Sequence, residues 1–248
     1  MKMRYSTLLF GMAAIMVSHT TNAADWTLGK SAKTEKSDKA PEFSFCDSGK
    51  NQSPVDIDSK KTSANKSIGI KFNYDLTLPE TITNTGRLIQ VNTRGWAKIN
   101  VEGVEFALKR LDFHIPSEHT IDGKHYPMEI QFVHEGKDKQ LAVVSRMAVP
   151  GRPDRTLRKL LENLPMQAGE TEKLPPNALK NNEMKKKYGN YYRYNGSTTA
   201  SPCEEGVRWY ILKTPMSFSK EQYEKLKSAV KEDNNRAVQN LNARIILE

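Results

Sequence analysis

A mainly β domain, with a few short helices at its edge, is the class this sequence predicts, and three observations carry the prediction. Between residues 68 and 147 the chain repeats short extended runs broken by turn residues, the pattern of paired strands. The stretch 108–134, LKRLDFHIPSEHTIDGKHYPMEIQFVH, reads as two extended segments joined by a turn, with side chains alternating between two faces. Helical signals are confined to two short segments. Many strands and few helices argue for a large sheet with peripheral helices.

The chain begins with Lys2 and Arg4, an apolar run over 8–17, and the small residues Thr21-Asn22-Ala23. This is the layout of a secretory signal peptide, and its apolar core is too short to span a bilayer. We expect residues 1–23 to be removed and the mature protein to be periplasmic or secreted. No cysteine near the cleavage site suggests a lipid anchor, and no later stretch is long and apolar enough for a transmembrane helix. Residues 24–42, rich in Lys, Ser and Thr, predict a flexible basic segment with little beyond Trp26 and Leu28 to bury. Residues 43–248 fit one domain.

Within that domain the expected strands include 68–74, 88–92, 97–101 and the apolar run 141–147. Helices are expected over 156–164, after Pro153, and over 220–231, with Ser219 as N-cap and Glu221 and Glu224 near its start. No internal repeat is present.

The stretch 108–134 holds every histidine except His19. Strand parity puts Arg110, Asp112 and His114 on one face and Leu111 and Phe113 on the other. After the turn, Glu129, Gln131 and Val133 share a face, while Ile130, Phe132 and His134 take the opposite one. Two facing strands would gather Asp112, His114 and Gln131 into a polar pocket. His119, His125 and His134 are expected to be structural or loop histidines.

Asp112-Phe113-His114-Ile115-Pro116-Ser117-Glu118-His119, followed by Tyr126-Pro127-Met128-Glu129-Ile130-Gln131-Phe132-Val133-His134, resembles the zinc-binding core of the α-class carbonic anhydrases. Further stretches agree in order: NQSPVDI at 51–57, YYRYNGS at 191–197, EGVRW at 205–209 and NNRAVQ at 234–239. The resemblance covers roughly residues 43–244 and implies a central, twisted, mostly antiparallel sheet of about ten strands. It also implies a zinc centre that hydrates CO2, with Asp112, His114 and Gln131 at the ligand positions. Only His114 keeps the family's histidine. Aspartate can ligate zinc, but a carboxamide is neutral and a weak donor.

Other positions are divided. Arg110 replaces the residue that orients the first ligand, and a guanidinium there is expected to pair with Asp112. Glu129 matches the acid that orients the third ligand and is expected to accept from the Gln131 amide. Thr199 and Glu118 match the pair that orients zinc-bound hydroxide. Arg87 stands at the proton-shuttle position, where a group that stays protonated cannot relay protons near neutral pH. Thr198, Ala200 and Ser201 depart from the family's loop. Val133, Val143, Val207 and Trp209 match its apolar CO2-side wall.

Cys46 and Cys203 are the only cysteines. An even pair in an exported protein reads as a disulfide, and both positions match the bridge of bacterial family members.

The charge is basic, 38 Lys and Arg against 29 Asp and Glu. Removing Lys2 and Arg4 with the leader leaves 36 against 29, a net charge of +7. Lys185-Lys186-Lys187, with Lys180, Tyr188 and Arg193, forms one basic region, and Arg146, Arg152, Arg155, Arg158 and Lys159 form another. A polyanion is the partner class such surfaces suit, and no nucleic-acid motif is present. A monomer is expected. The sequence therefore predicts an exported carbonic-anhydrase-like protein with lost or reduced CO2 hydration, zinc weak or absent, and a pocket suited to a small anion. The alternative is a zinc enzyme with an atypical Asp/His/Gln site.

Overall fold

The computed structural model describes residues 45–64, 70–74, 79–94, 97–179 and 190–248. The expected leader, the basic segment 24–42 and Lys185-Lys186-Lys187 lie outside them. The described strands, in chain order, are β1 (Asp56–Ile57), β2 (Ile70–Asn73), β3 (Pro79–Asn84), β4 (Ile89–Thr93), β5 (Lys98–Val101) and β6 (Val104–His114). They continue with β7 (Thr120–Ile121), β8 (Lys124–His125), β9 (Met128–Gly136), β10 (Leu141–Pro150), β11 (Thr171–Lys173), β12 (Tyr191–Ser197) and β13 (Glu205–Phe218). Two helices accompany them, α1 (Arg155–Leu161) and α2 (Lys220–Val230).

Among the described residues ten strands form one sheet. Eight follow the order β11-β3-β4-β6-β9-β10-β13-β12, while β5 joins β6 and carries β2. Every pairing in it is antiparallel except β10 with β13. The mainly β architecture agrees with the sequence expectation. His125, expected in a loop, lies in the two-residue strand β8, which with β1 and β7 makes a small separate sheet.

Alternation gives the large sheet two buried faces. Phe106, Leu111, Phe113, Ile130, Val144 and Tyr210 pack on one, together with Leu157, Leu160 and Leu161 of α1 and Leu226, Ala229 and Val230 of α2. The other carries Val55, Ile57, Val133, Val143, Met147, Val207, Trp209 and Ile211.

The first helix is shorter than expected: Asp154 caps it by accepting from Leu157 N at 2.8 Å, and it ends at Leu161. In α2, Ser219 is the N-cap as expected. It forms a reciprocal capping box with Gln222, satisfying two orphan donors at once. No helix among the described residues is long and apolar enough to cross a membrane.

Candidate metal-type pocket

The site is built by register. Gln90 of β4 pairs with Asp112 of β6, Asp112 with Gln131 of β9, and Gln131 with Ser145 of β10. Four polar side chains thus stand in one row across four strands. The row on one side carries His114 opposite Glu129, and the row on the other carries Arg110 opposite Val133, which pairs with Val143. Asp112, His114 and Gln131 are therefore neighbours, and all three are buried.

Asp112 is taken up by its surroundings. Arg110 donates from Nε to both carboxylate oxygens, at 2.9 and 3.1 Å, and Gln90 Nε2 donates to Oδ1 at 2.8 Å. The pairing is one nitrogen on two oxygens, so the terminal amino groups of Arg110 are not spent on it, and 37% of the side chain remains exposed.

Gln131 donates from Nε2 to Glu118 Oε2 at 2.7 Å and to Glu129 Oε1 at 3.1 Å. Both neighbours are carboxylates, which only accept, so the amide nitrogen must face them and Oε1 must turn the other way. Glu129 lies fully buried and accepts five hydrogen bonds. Glu118 N and His119 N reach Oε2, while His119 Nδ1, Ser145 Oγ and Gln131 Nε2 reach Oε1. Burial works to raise its pKa. Attraction to His119, the His119 hydrogen bond and further help from His114 and Ser145 overcome that and hold it at about 2.

His119 is structural. Its Nε2 meets the Tyr194 hydroxyl at 2.6 Å, and that hydroxyl meets Ser53 Oγ at 2.8 Å. Burial pushes the Tyr194 phenol well above its ordinary pKa, so it stays neutral. His134 faces the other side of the sheet, with Nε2 on the Tyr74 hydroxyl at 2.6 Å and Nδ1 on Ala142 O at 3.2 Å.

Thr199 and Glu118 do not meet in the way the resemblance implies. Glu118 Oε2 takes the Gln131 amide and Oε1 takes Arg236 N at 3.1 Å. No hydrogen bond joins Thr199 to either oxygen among the described residues. Arg87 lies in the exposed turn between β3 and β4. Val133, Val143, Val207 and Trp209 pack as one cluster, and Trp209 Nε1 donates to Ser197 O at 3.0 Å.

The loop carrying Thr199 is held by the Cys46–Cys203 disulfide, which spans 157 residues of sequence. Arg236 reinforces this clamp by donating to Gln52 Oε1, Ser53 O and Cys46 O at 2.7 to 3.0 Å. The motifs at 51–57, 191–197 and 234–239 therefore act mainly as scaffold around the pocket. Sequence reasoning missed Gln90 and Ser145, which come from strands outside the motif. Their signal was parity, but only the register shows which residues they face.

The donor set fits zinc poorly. The Asp112 carboxylate already holds a guanidinium, so a dication beside it would meet like charge. Gln131 offers a carboxamide oxygen. His114 Nδ1 is buried without a hydrogen-bond partner, 3.6 Å from Glu118 Oε1. Histidines that ligate metals almost always donate their second nitrogen to a fixed acceptor.

The sequence profile of the eukaryotic-type carbonic anhydrases matches residues 34–248. A carbonic anhydrase of Neisseria gonorrhoeae is 36% identical over 245 residues, 98% of this chain and 95% of that protein. The solved structure of α-carbonic anhydrase from Thermovibrio ammonificans with sulfanilamide is similar at 37% identity and a TM-score of 0.76, covering 84% of this chain and 92% of that one. Dioscorin solved with ascorbate is also similar, at 31% identity and a TM-score of 0.73, covering 84% and 89%. With the motifs, the ten-stranded sheet and these relatives in agreement, the chain belongs to the eukaryotic-type, α-class carbonic anhydrase family.

Proposed function

We propose that this is an exported carbonic-anhydrase-like protein with lost or strongly reduced CO2 hydration, whose former metal pocket binds a small anion. One observation carries the reading: Arg110 Nε sits on both oxygens of Asp112 at the first ligand position. That ion pair satisfies the carboxylate without a metal and puts positive charge where a dication would go. Zinc supplies a bound water of pKa about 7, an effect for which carbonic anhydrase is the standard example. Among the described residues Glu118, the acid at the family's position beside the site, is committed to Gln131 and Arg236 and is not free to replace it as a base. What remains is recognition: the terminal amino groups of Arg110 and the turned-out oxygen of Gln131 border a pocket suited to an anion that also carries hydroxyl donors. Dioscorin, solved with the small organic acid ascorbate, supports this ligand class.

The test is the zinc content of the purified mature protein by mass spectrometry, with CO2 hydration measured with and without added zinc. We expect far less than one zinc per chain and no hydration above the buffer rate. Near-stoichiometric zinc with activity would overturn the reading. It would favour the second one, a zinc-dependent carbonic anhydrase using Asp112, His114 and Gln131, which the relatives named carbonic anhydrase support.

A further inference from the structure

A second polar cavity lies on the opposite face of the sheet from the metal-type pocket. In β12 and β13, Tyr194, Val207 and Trp209 face the apolar wall of that pocket. Arg193, Asn195, Arg208 and Tyr210 occupy the alternate positions and so point the other way. Register sets Arg193 opposite Tyr210 and Asn195 opposite Arg208, so the two arginines are diagonal neighbours. With Glu102 they line a cavity of about 160 Å³, well beyond what a single water needs.

The cations are held in place but under-used. Arg208 lies over the Phe106 ring, 5.4 Å from its centroid, and its Nη1 is buried without a hydrogen-bond partner. The backbone of Arg193 is pinned by the chain's last residues: its N donates to Leu247 O at 2.8 Å and its O accepts from Leu247 N at 2.9 Å. Its guanidinium stands 3.6 Å from Glu102 Oε1, a loose pairing to a carboxylate that is 49% exposed. Tyr210 is buried, which pushes its phenol up to about 12 although both arginines pull it down. It therefore remains a hydroxyl donor at neutral pH.

From this geometry we propose that Arg193, Arg208, Asn195 and Tyr210 form a binding site for a tetrahedral oxyanion of the phosphate or sulfate type. A carboxylate is satisfied by one bidentate guanidinium. Two guanidiniums on adjacent strands, flanked by an amide and a phenol, offer donors in several directions and match an anion with four oxygens. Glu102 is the internal competitor that such an anion displaces from Arg193.

The experiment is equilibrium dialysis of the full mature protein against labelled inorganic phosphate at low ionic strength. The wild type is compared with Arg193→Gln, Arg208→Gln, Glu102→Gln and Arg110→Gln, each checked for fold by circular dichroism. We expect a saturable site that is weakened at least about tenfold by Arg193→Gln or Arg208→Gln, since each removes charge-assisted hydrogen bonds. Glu102→Gln should tighten binding at this site several-fold, and any binding lost in Arg110→Gln belongs to the metal-type pocket. The gain from Glu102→Gln does not depend on whether Arg208→Gln folds. The proposal is overturned by the absence of saturable binding up to about 10 mM, beyond the weak-affinity range of about 1 mM. It is equally overturned by binding that ignores Arg193 and Glu102, or by loss only in Arg110→Gln, which would place the anion in the other pocket.

Discussion

Rebuilding the family's metal site in stages tests the reading of the pocket without relying on catalysis. The first variant is Asp112→His with Gln131→His. A histidine at 131 inherits the place from which Gln131 Nε2 reaches Glu129 Oε1 at 3.1 Å, so one ring nitrogen can donate there and leave the other for zinc. A histidine at 112 loses the carboxylate that now holds Arg110 at 2.9 and 3.1 Å. The guanidinium is thereby freed beside the incoming dication. The double variant should therefore bind zinc, but weakly. Adding Arg110→Gln removes that charge and restores a neutral partner for the new histidine. Changes to residues that orient metal ligands shift affinity by about 10 to 100-fold, and a gain of that size is expected for this third change. The assay is thermal unfolding with and without zinc. At a zinc concentration about 100 times Kd the ligand adds about 2.7 kcal/mol, which for a domain of this size raises Tm by roughly 5 to 10 °C. The triple variant should show that shift, the double variant a smaller one, and the wild type almost none. A wild-type shift equal to the triple variant's would refute the argument that Arg110 and the altered donor set exclude zinc. No shift in the triple variant would refute the claim that the rest of the scaffold still supports the centre.

Two further predictions concern stability. Burial holds the His134 imidazole down to about 4, although hydrogen bonding at Ala142 and Phe132 raises it. The unfolded chain therefore binds the extra proton first as pH falls. Stability is fully present above about 6.5 and declines as pH drops toward 4, by about 3 kcal/mol at about 1.4 kcal/mol per unit. Urea midpoints measured at pH 7 and pH 4.5 should show this slope, and His134→Gln should flatten it. An unchanged slope in that variant would reject the assignment. Changing both Cys46 and Cys203 to serine removes a bridge across 157 residues. This should cost about 2 to 5 kcal/mol, read as a lower Tm; an unchanged Tm would mean that Arg236 and its partners hold the Thr199 loop by themselves.

The sequence was most legible where the chemistry is local. Alternation within 110–114 and 129–134 was enough to separate the pocket side chains from Leu111, Phe113, Ile130 and His134, which face the other side of the sheet. Ser219 announced α2 because an N-cap acts within one turn. The end of α1 was less legible, because the apolar pattern runs on to Leu164 while the helix stops at Leu161. β12 and β13 were recognised as motifs but not read as strands.

Taken alone, the sequence determined the class, the family, the shared face of Asp112, His114 and Gln131 and the pair of cysteines, since all of these rest on residue identity and strand parity. Tertiary structure decided how those residues are used. It placed Gln90 and Ser145 in the same polar row as Asp112 and Gln131, engaged Glu118 with Gln131 and Arg236, and left His114 Nδ1 without a partner. It also made β10 and β13 parallel and set Arg193 diagonal to Arg208 around a cavity. The physical reason is that parity repeats every two residues within one strand. Register between strands is set by packing and hydrogen bonds among segments far apart in the chain.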